Sequence, residues 1–227
     1  MRFLTTLYLL SLLFISSCSD DAPCSCPKDS LTDDSILTVT IGSQIWMSRN
    51  LEVTKFKNGD SILQAKSEAD WISAKENQKP AWCYYSFDEK NGKIYGKLYN
   101  WYAVKDSRGL APNGYHVPSD NEWGTLIDFL GGANNAGGKL KSTSGWQQNG
   151  NGTNNTGFNA IPGGYCHEEG KFEGIGAVGF WWTSTDNSQF NQNSMVARRR
   201  EISYAGSGVG GTIAYYDNGY SVRCLRD

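Results

Sequence analysis

The chain has 227 residues and a formal net charge of −2, from 21 basic and 23 acidic side chains. A protein that follows a phosphate backbone carries a clear basic excess, so this balance argues against a nucleic-acid partner. Charged residues make up 19% of the chain, aromatic residues make up 13%, and glycine occupies 26 positions. This composition is typical of a folded domain rich in loops and aromatic rings, and it argues against a disordered or coiled-coil chain.

The first seventeen residues have the pattern of a signal peptide. An apolar run from residue 3 to residue 15 follows a single arginine, and it is shorter than the roughly 20 residues that a membrane-spanning helix needs. Ile15-Ser16-Ser17-Cys18 resembles the bacterial lipobox, in which the cysteine carries diacylglycerol and becomes the first mature residue. An ordinary secretory signal with an incidental cysteine is the alternative interpretation. We predict a lipoprotein signal peptide at residues 1–17 and a membrane anchor of acyl chains at Cys18.

Residues 18–37 are predicted to form a lipidated flexible tether. The segment is polar, with two prolines and almost no large apolar residue that could build a core. Ser19-Asp20-Asp21 directly follows the lipidation site and resembles the export signal of surface-exposed bacterial lipoproteins. The alternative is that the two aspartates simply begin a solvated linker. We expect an outer-membrane protein that is lipid-anchored and faces the cell exterior.

Five cysteines remain after Cys18. Cys24 and Cys26 lie in the tether and are separated by one residue, a tight spacing for a disulfide, so metal capture, intermolecular pairing and free thiols all stay open. The folded part holds three more cysteines, among which an oxidising compartment permits one pair that the sequence does not choose. A zinc site normally needs four ligands, and the sequence has no second closely spaced Cys or His pair to supply them. We therefore predict no metal and no cofactor. The disulfide candidates are Cys83, Cys166 and Cys224.

The first half of the folded part predicts two strands and two helices. Residues 36–41 and 44–47 read as short β-strands joined by a Gly-Ser turn. Residues 67–76 predict a short helix. A second helix is predicted from Ser119, because Glu122 completes a capping box and apolar residues follow at helical spacing until two glycines end the run.

The second half predicts loops and then strands. Residues 131–164 contain ten glycines and no sustained hydrophobic period, which predicts an organised loop region. Two helices followed by antiparallel strands with long Gly/Asn-rich loops indicate the α+β class. The predicted strands cover residues 157–161, 180–185, 195–204, 212–216 and 220–225.

A series of motifs runs through residues 38–227. They are TVTIGSQIWM at 38–47, GKLYNW at 96–101, GYHVPSDNEW at 114–123, GFNAIPGGY at 157–165, GFWWTST at 179–185 and GYSVRC at 219–224. In this order they resemble the Fibrobacter succinogenes major paralogous domain. The resemblance implies one domain at residues 38–227, a C-type lectin-like fold related to the sulfatase-modifying-factor domains, and no assigned activity.

One departure from the family pattern concerns the cysteines. Where the family often has cysteine before proline, this chain has Ala111 before Pro112. If that cysteine normally bonds the one near the C-terminus, the resemblance implies that Cys224 pairs here with Cys83 or Cys166, or stays reduced.

Trp181, Trp182 and Arg200 are the candidate ligand-binding residues. Successive strand residues face opposite ways, so the two adjacent indoles cannot both enter one core. One of them is either buried under the glycine-rich loops, the favoured interpretation, or exposed as a platform for a sugar ring. Arg200 matches an arginine of the family pattern, and an internal ion pair explains it as well as a ligand does.

No catalytic residue is predicted, and we expect a protein that is not an enzyme. His116 has neither a nucleophile nor a repeated metal-ligand spacing beside it, which favours a structural role. His167 precedes two glutamates, a pattern that fits either a cation or an exposed polar turn. Two functional hypotheses remain. The domain is a surface module that binds a glycan or protein through the tryptophan strand and the loops near residues 145–156, or it is a structural accessory subunit of an envelope assembly.

Overall fold

The computed structural model describes residues 36–190 and 194–227. The predicted signal peptide, the lipidation site Cys18 and all but the last two residues of the predicted tether lie outside these ranges. Within them, no helix has the length and apolar character that a membrane span requires.

The described residues form short helices and several small sheets. The helices are α1 (Glu68–Glu76), α2 (Glu89–Tyr95), α3 (Trp101–Val104), α4 (Asp120–Phe129) and α5 (Ala136–Leu140). The strands are β1 (Thr38–Ile41), β2 (Gln44–Met47), β3 (Leu63–Gln64), β4 (Ala81–Cys83), β5 (Leu98–Tyr99), β6 (Tyr115–His116), β7 (Gly163–Cys166), β8 (Phe172–Ile175), β9 (Val178–Asp186), β10 (Val196–Ser203), β11 (Gly210–Tyr215) and β12 (Leu225–Arg226).

The ends of the domain meet in a four-stranded antiparallel sheet with the order β1-β2-β12-β6. The C-terminal strand β12 lies between two strands from the first half of the chain, and Leu225 pairs with Trp46 on one side and His116 on the other. The sheet is therefore completed only by the last residues of the chain.

The largest sheet has five strands in the order β11-β10-β9-β7-β8. Its neighbours are antiparallel except β7 and β9, which run parallel. The pairing of β10 with β9 is irregular between Ala197 and Arg199, a β-bulge that bends the strand and turns its side chains. A third sheet joins β3, β4 and β5.

Strand β9 separates two apolar cores. Trp181 packs on one face with Trp123 and Phe158, whereas Trp182 packs on the other face with Tyr220. The predicted opposite orientation of the two indoles is confirmed, because side chains alternate across a strand. A smaller third cluster surrounds Trp71 of α1.

Both predicted helices are present. Ser67 caps α1 by accepting a hydrogen bond from the backbone N–H of Asp70. Ser119 and Glu122 form the predicted capping box of α4. The helices α2, α3 and α5 were not predicted, because seven, four and five residues are too few to show a helical period.

The strand predictions need two corrections. Residues 157–161 are not a strand, since Gly157 and Asn159 have φ angles of 72° and 55°, far from extended geometry, and only Ala160 forms a single bridge to Lys141. Residues 220–225 form isolated bridges before β12. The strands β3 to β8 have two to four residues each, too short for an alternating pattern. Helices with mostly antiparallel sheets confirm the α+β class.

The glycine-rich region is organised by close backbone contacts. Gly137 in α5 is packed so tightly that a Cβ atom there would lie 2.2 Å from the carbonyl oxygen of Gly208. The N–H of Gly138 donates to the carbonyl of Ser207 at 3.0 Å. The region therefore packs directly on the segment between β10 and β11. The prediction of an organised loop region is confirmed.

Candidate ligand-binding groove

The two tryptophans predicted to contact a ligand are fully buried, each with an exposed fraction of 0%. Trp181 donates its indole N–H to Asn50 Oδ1 at 3.0 Å, and Trp182 donates to the carbonyl of Tyr99 at 2.8 Å. The favoured buried interpretation is confirmed. Neither ring has an open face, so the alternative interpretation, an exposed tryptophan platform, is wrong.

Arg200 makes an internal ion pair. Its Nε lies 2.8 Å from Asp120 Oδ1, and its Nη2 donates to the Asp120 carbonyl at 3.1 Å. This pair ties β10 to the first residue of α4, next to the helix N-terminus, where a carboxylate is favourable. The guanidinium therefore forms the internal ion pair that was the alternative to ligand binding.

The loops near residues 145–156 border a shallow depression of about 590 Å³. Thr153 and Gly152 lie in its wall, and their N–H groups donate to the carbonyls of Gly138 and Ser142 at 2.9 Å. Trp146 of these loops belongs to the same apolar core as Trp181, but neither Trp181 nor Trp182 lines the depression, so the two parts of the predicted site do not form one surface.

A second groove, of about 540 Å³, lies at the edge of the five-stranded sheet, beside β10 and β11. The β10–β11 hairpin supplies one wall, and the turn after β11 brings residue 218 into it, since the N–H of Asn218 donates to the carbonyl of Tyr215 at 3.1 Å. The residues that line it include Arg199, Ile213, Tyr215, Asn218 and Tyr220.

Arg199 is held in this groove by its neighbours. Its Nη1 pairs with Glu201 Oε2. The guanidinium carbon lies 4.2 Å from the ring centre of Phe180 and 5.5 Å from that of Tyr220, distances at which a cation is attracted to an aromatic face. Its Nε is buried and has no hydrogen-bond partner among the described residues. One donor of this cation is therefore unused within the described residues.

Asn218 offers a complementary acceptor in the same groove. The residue is 7% exposed, and its Oδ1 is buried and has no hydrogen-bond partner in the described parts of the chain. A buried polar atom without a partner costs free energy and calls for an explanation, such as a bound molecule. The groove thus holds an unused donor and an unused acceptor.

Apolar side chains complete the groove. Tyr215 is 54% exposed and Ile213 is 45% exposed, and Met195 beside them is 42% exposed. Tyr220 lies deeper, and its burial raises the pKa of its phenol, so the ring remains neutral and hydroxyl-bearing. An exposed aromatic ring next to convergent polar groups is the usual character of a small-ligand site.

The titratable cluster around His116 is structural. Its Nε2 lies 2.8 Å from Glu122 Oε1 and its Nδ1 lies 2.8 Å from Asp227 Oδ1. Burial lowers the pKa of His116, but the two carboxylates outweigh burial and the net pKa is raised. The ring joins the capping box of α4 to the C-terminal residue. No group of three or more His, Cys, Asp or Glu side chains within residues 36–190 and 194–227 is placed to hold a metal ion.

The three candidate cysteines are buried, and no disulfide joins them in this structure. Cys83 and Cys166 share the small third cluster, whereas Cys224 belongs to the cluster of Trp182.

The groove residues were missed at the sequence level. Arg199 stands in an arginine triplet at residues 198–200, of which the family pattern singled out Arg200. Asn218 stands in an Asp-Asn-Gly turn, and such turns are common in any strand-rich chain. Only the fold shows that this turn and β10 meet.

The comparisons with known proteins agree with the motif pattern. The family model of the Fibrobacter succinogenes major domain matches residues 39–226. No curated protein and no solved structure is significantly similar to the chain. Since the match covers most of the chain, the protein belongs to the Fibrobacter succinogenes major domain family.

Proposed function

We propose that the protein is a non-catalytic recognition lipoprotein of the bacterial outer membrane that binds a glycan or protein ligand, with a saccharide as its favoured ligand. Acyl chains on Cys18 anchor it, and the tether at residues 18–37 holds the domain on the cell exterior. The lipobox-like sequence and the acidic residues that follow it support this placement. The C-type lectin-like fold that the resemblance implies is part of the same proposal.

The observation that carries the proposal is that one groove is lined by both Arg199, whose Nε is an unused donor, and Asn218, whose Oδ1 is an unused acceptor. Both atoms are buried and lack partners in the described parts of the chain, and one donates whereas the other accepts. A sugar hydroxyl donates and accepts at once, so neighbouring hydroxyls of one ring satisfy both atoms. The exposed face of Tyr215 suits the apolar C–H face of that ring.

The charge of the groove favours a neutral saccharide. Glu201 Oε2 pairs with Nη1 of Arg199, so the guanidinium charge is already balanced within the domain. A carboxylate ligand would compete with Glu201 for the same cation, whereas a hydroxyl uses only the free Nε. We therefore expect a weak preference for uncharged sugars over acidic ones.

The test is binding of the purified protein to a glycan array, followed by titration calorimetry with the best saccharide. Tyr215→Ala removes the platform and Asn218→Ala removes the acceptor, and each is expected to weaken binding about tenfold, the equivalent of about 1.4 kcal/mol. Phe129→Ala is the matched control, because Phe129 is also an exposed aromatic residue (63%) but lies on α4, outside the groove. Unchanged affinity in a folded Tyr215→Ala, Asn218→Ala double variant would rule out this groove as the binding site.

The alternative is a structural accessory subunit of an envelope assembly. The observation that favours it is the outer strand β11, which is the edge of its sheet and exposes Ile213 and Tyr215. Exposed apolar edges are places where another chain can pack. A stoichiometric partner that co-purifies with wild-type protein, and is lost on Ile213→Lys, would favour this function over saccharide binding.

The location has its own test. Mass spectrometry of the mature N-terminus should find Cys18 acylated, and exposed surface lysines should react with an impermeant label on intact cells. An unmodified N-terminus, or recovery of the protein from the cytosol, would contradict the placement.

A further inference from the structure

Two of the three domain cysteines face each other across different sheets. Cys83 is the last residue of β4 in the three-stranded sheet, and Cys166 is the last residue of β7 in the five-stranded sheet. Both are 0% exposed, and both belong to the same small apolar cluster, in which the two thiols interact. Thiols that share one packed cluster can be joined where the backbone holds their side chains toward each other.

The backbone at both positions is well fixed. Cys83 pairs with Leu98 in the β4–β5 ladder. Cys166 exchanges two backbone hydrogen bonds with Gly219, at 3.0 and 2.8 Å. A Cβ atom on Gly219 would lie 2.9 Å from the Cβ of Cys166, so the two segments approach so closely that only glycine fits there. The adjacency of the thiols is therefore a property of the packed strands.

A second contact joins the same two chain segments. The 3₁₀ turn Tyr85–Phe87 directly follows β4, and it packs against β7. A Cβ atom on Gly164 of β7 would lie 2.9 Å from the ring of Tyr85. The segments that carry Cys83 and Cys166 are thus in contact at more than the sulfur atoms.

Cys224 belongs elsewhere. It lies in the large cluster with Leu51, Val222 and Trp182, and its carbonyl accepts from the N–H of Met47 at 3.0 Å. The other two cysteines belong to the small cluster around Trp71. The odd number of domain cysteines therefore divides into one adjacent pair and one separate thiol.

We propose that Cys83 and Cys166 form a disulfide in the mature protein, linking the three-stranded sheet to the five-stranded sheet, while Cys224 remains a thiol. The proposal goes beyond ligand recognition and rests on the proposed function only for the oxidising compartment. The bond closes a long loop of chain between β4 and β7, and such cross-links chiefly restrict the unfolded state.

The oxidant is the disulfide of an envelope thiol–disulfide oxidoreductase. One cysteine thiolate attacks a sulfur of that disulfide, which forms a mixed disulfide and releases one enzyme thiolate. The second cysteine thiolate then attacks the sulfur of the first, which forms the Cys83–Cys166 bond and releases the oxidoreductase as a dithiol. The chain loses two hydrogens and two electrons are transferred to the enzyme, so the step balances.

Burial determines when this exchange takes place. Burial, followed by the contact with Cys166, raises the pKa of the Cys83 thiol well above its ordinary value. The attacking species is the thiolate, so exchange is slow once the small cluster has closed. The bond therefore forms while the chain is still folding, before Trp71 and its neighbours cover the two sulfurs.

The test uses the full-length protein produced with its own leader and purified from the envelope without reductant. It is denatured in an alkylating reagent, digested without reduction and analysed by mass spectrometry. We expect a cross-linked peptide pair that contains Cys83 and Cys166, and an alkylated Cys224. Alkylated Cys83 and Cys166, or a bridge from either of them to Cys224, Cys24 or Cys26, would overturn the proposal.

A second arm separates the pairing from the location. Reduced, unfolded protein is refolded in a glutathione redox buffer, so no export is needed. A Cys83–Cys166 bridge here, combined with free thiols in the protein from cells, would support the pairing and contradict the envelope location. Free thiols or a wrong bridge in this buffer would reject the pairing whatever the location.

Variants give a third measurement. Cys224→Ala should keep the bridge, and its urea midpoint should still fall when reductant is added. A Cys83→Ala, Cys166→Ala double variant should unfold at a lower urea concentration than oxidised wild type, and reductant should not lower that midpoint further. If this double variant does not fold, the wild-type protein replaces it, and its urea midpoint should fall when reductant is added. A wild-type urea midpoint that reductant leaves unchanged would contradict a stabilising bridge.

Discussion

Asn50 Oδ1 lies 2.7 Å from Nη2 of Arg223, and this neutral amide is a main acceptor for a guanidinium that is 0% exposed. The same oxygen accepts from Nε of Arg223 at 3.2 Å and from the indole of Trp181 at 3.0 Å. Nη1 donates to the carbonyls of Met47 and Phe158. Burial lowers the pKa of Arg223, because taking a charge out of water disfavours the charged form. One buried side-chain oxygen thus anchors the strand of Trp181 to the segment before β12.

Asn50→Ala should lower the free energy of unfolding by about 3 kcal/mol, because it removes an acceptor from a buried charged group. Urea denaturation of the purified variant measures this loss. Asn121→Ala is the control, since Asn121 is exposed on α4, and a change within about 0.5 kcal/mol is expected there. A cost for Asn50→Ala no larger than that of the control would show that the carbonyl acceptors alone suffice.

Trp182→Ala should destabilise the fold by about 3–5 kcal/mol, the usual cost of removing a large buried ring. The reason is its position between Tyr99 and Tyr220 in the larger core. Phe129→Ala, at a ring that is 63% exposed, should cost far less. Equal unfolding midpoints for the two variants would contradict the burial of Trp182.

Two glycine substitutions should change stability in opposite directions. Gly124 lies within α4, and a Cβ atom added there would meet no other part of the fold within 4 Å, so Gly124→Ala should stabilise by about 0.5–1 kcal/mol through helix propensity. Gly137→Ala should destabilise, because its Cβ would meet the backbone oxygen of Gly208 at 2.2 Å. Thermal unfolding of both variants measures the difference. A stabilising Gly137→Ala would mean that the glycine-rich region does not dock on the β10–β11 connection.

His116 should titrate above its ordinary pKa of about 6.5 in the folded protein. NMR titration of the two histidines measures it, with His167→Gln identifying the signal. Glu122→Gln or Asp227→Asn should lower the midpoint, since each removes a carboxylate at 2.8 Å. Asp128→Asn, at an exposed position of α4, is the matched control and should leave it unchanged.

The same titration has a consequence for stability. Because the folded-state pKa is raised, the contribution of protonated His116 is fully present below the unfolded-state pKa and is lost as the pH rises through the folded-state value. The unfolding free energy of wild type relative to His116→Gln should therefore be larger at about pH 5.5 than at about pH 8.5. A difference that does not vary with pH would contradict the ion-paired placement of the ring.

The sequence predicted those parts of the fold that depend on local chemistry. The capping box at Ser119 and Glu122 and the alternation of Trp181 and Trp182 follow from spacing alone, and the structure confirms both. The groove follows from long-range contacts instead. Arg199 and Asn218 are brought together by the bulged β10 strand and a turn after β11, and neither feature has a local pattern that distinguishes it from an ordinary strand or turn.

The central position of β12 also affects how the chain must be handled before it folds. Because β12 lies between β2 and β6, a nascent chain that still lacks residues 225–226 also lacks the strand that joins these two strands. A truncation that removes Leu225 should therefore leave the β1–β2 hairpin without its partner strand, because Leu225 pairs with Trp46.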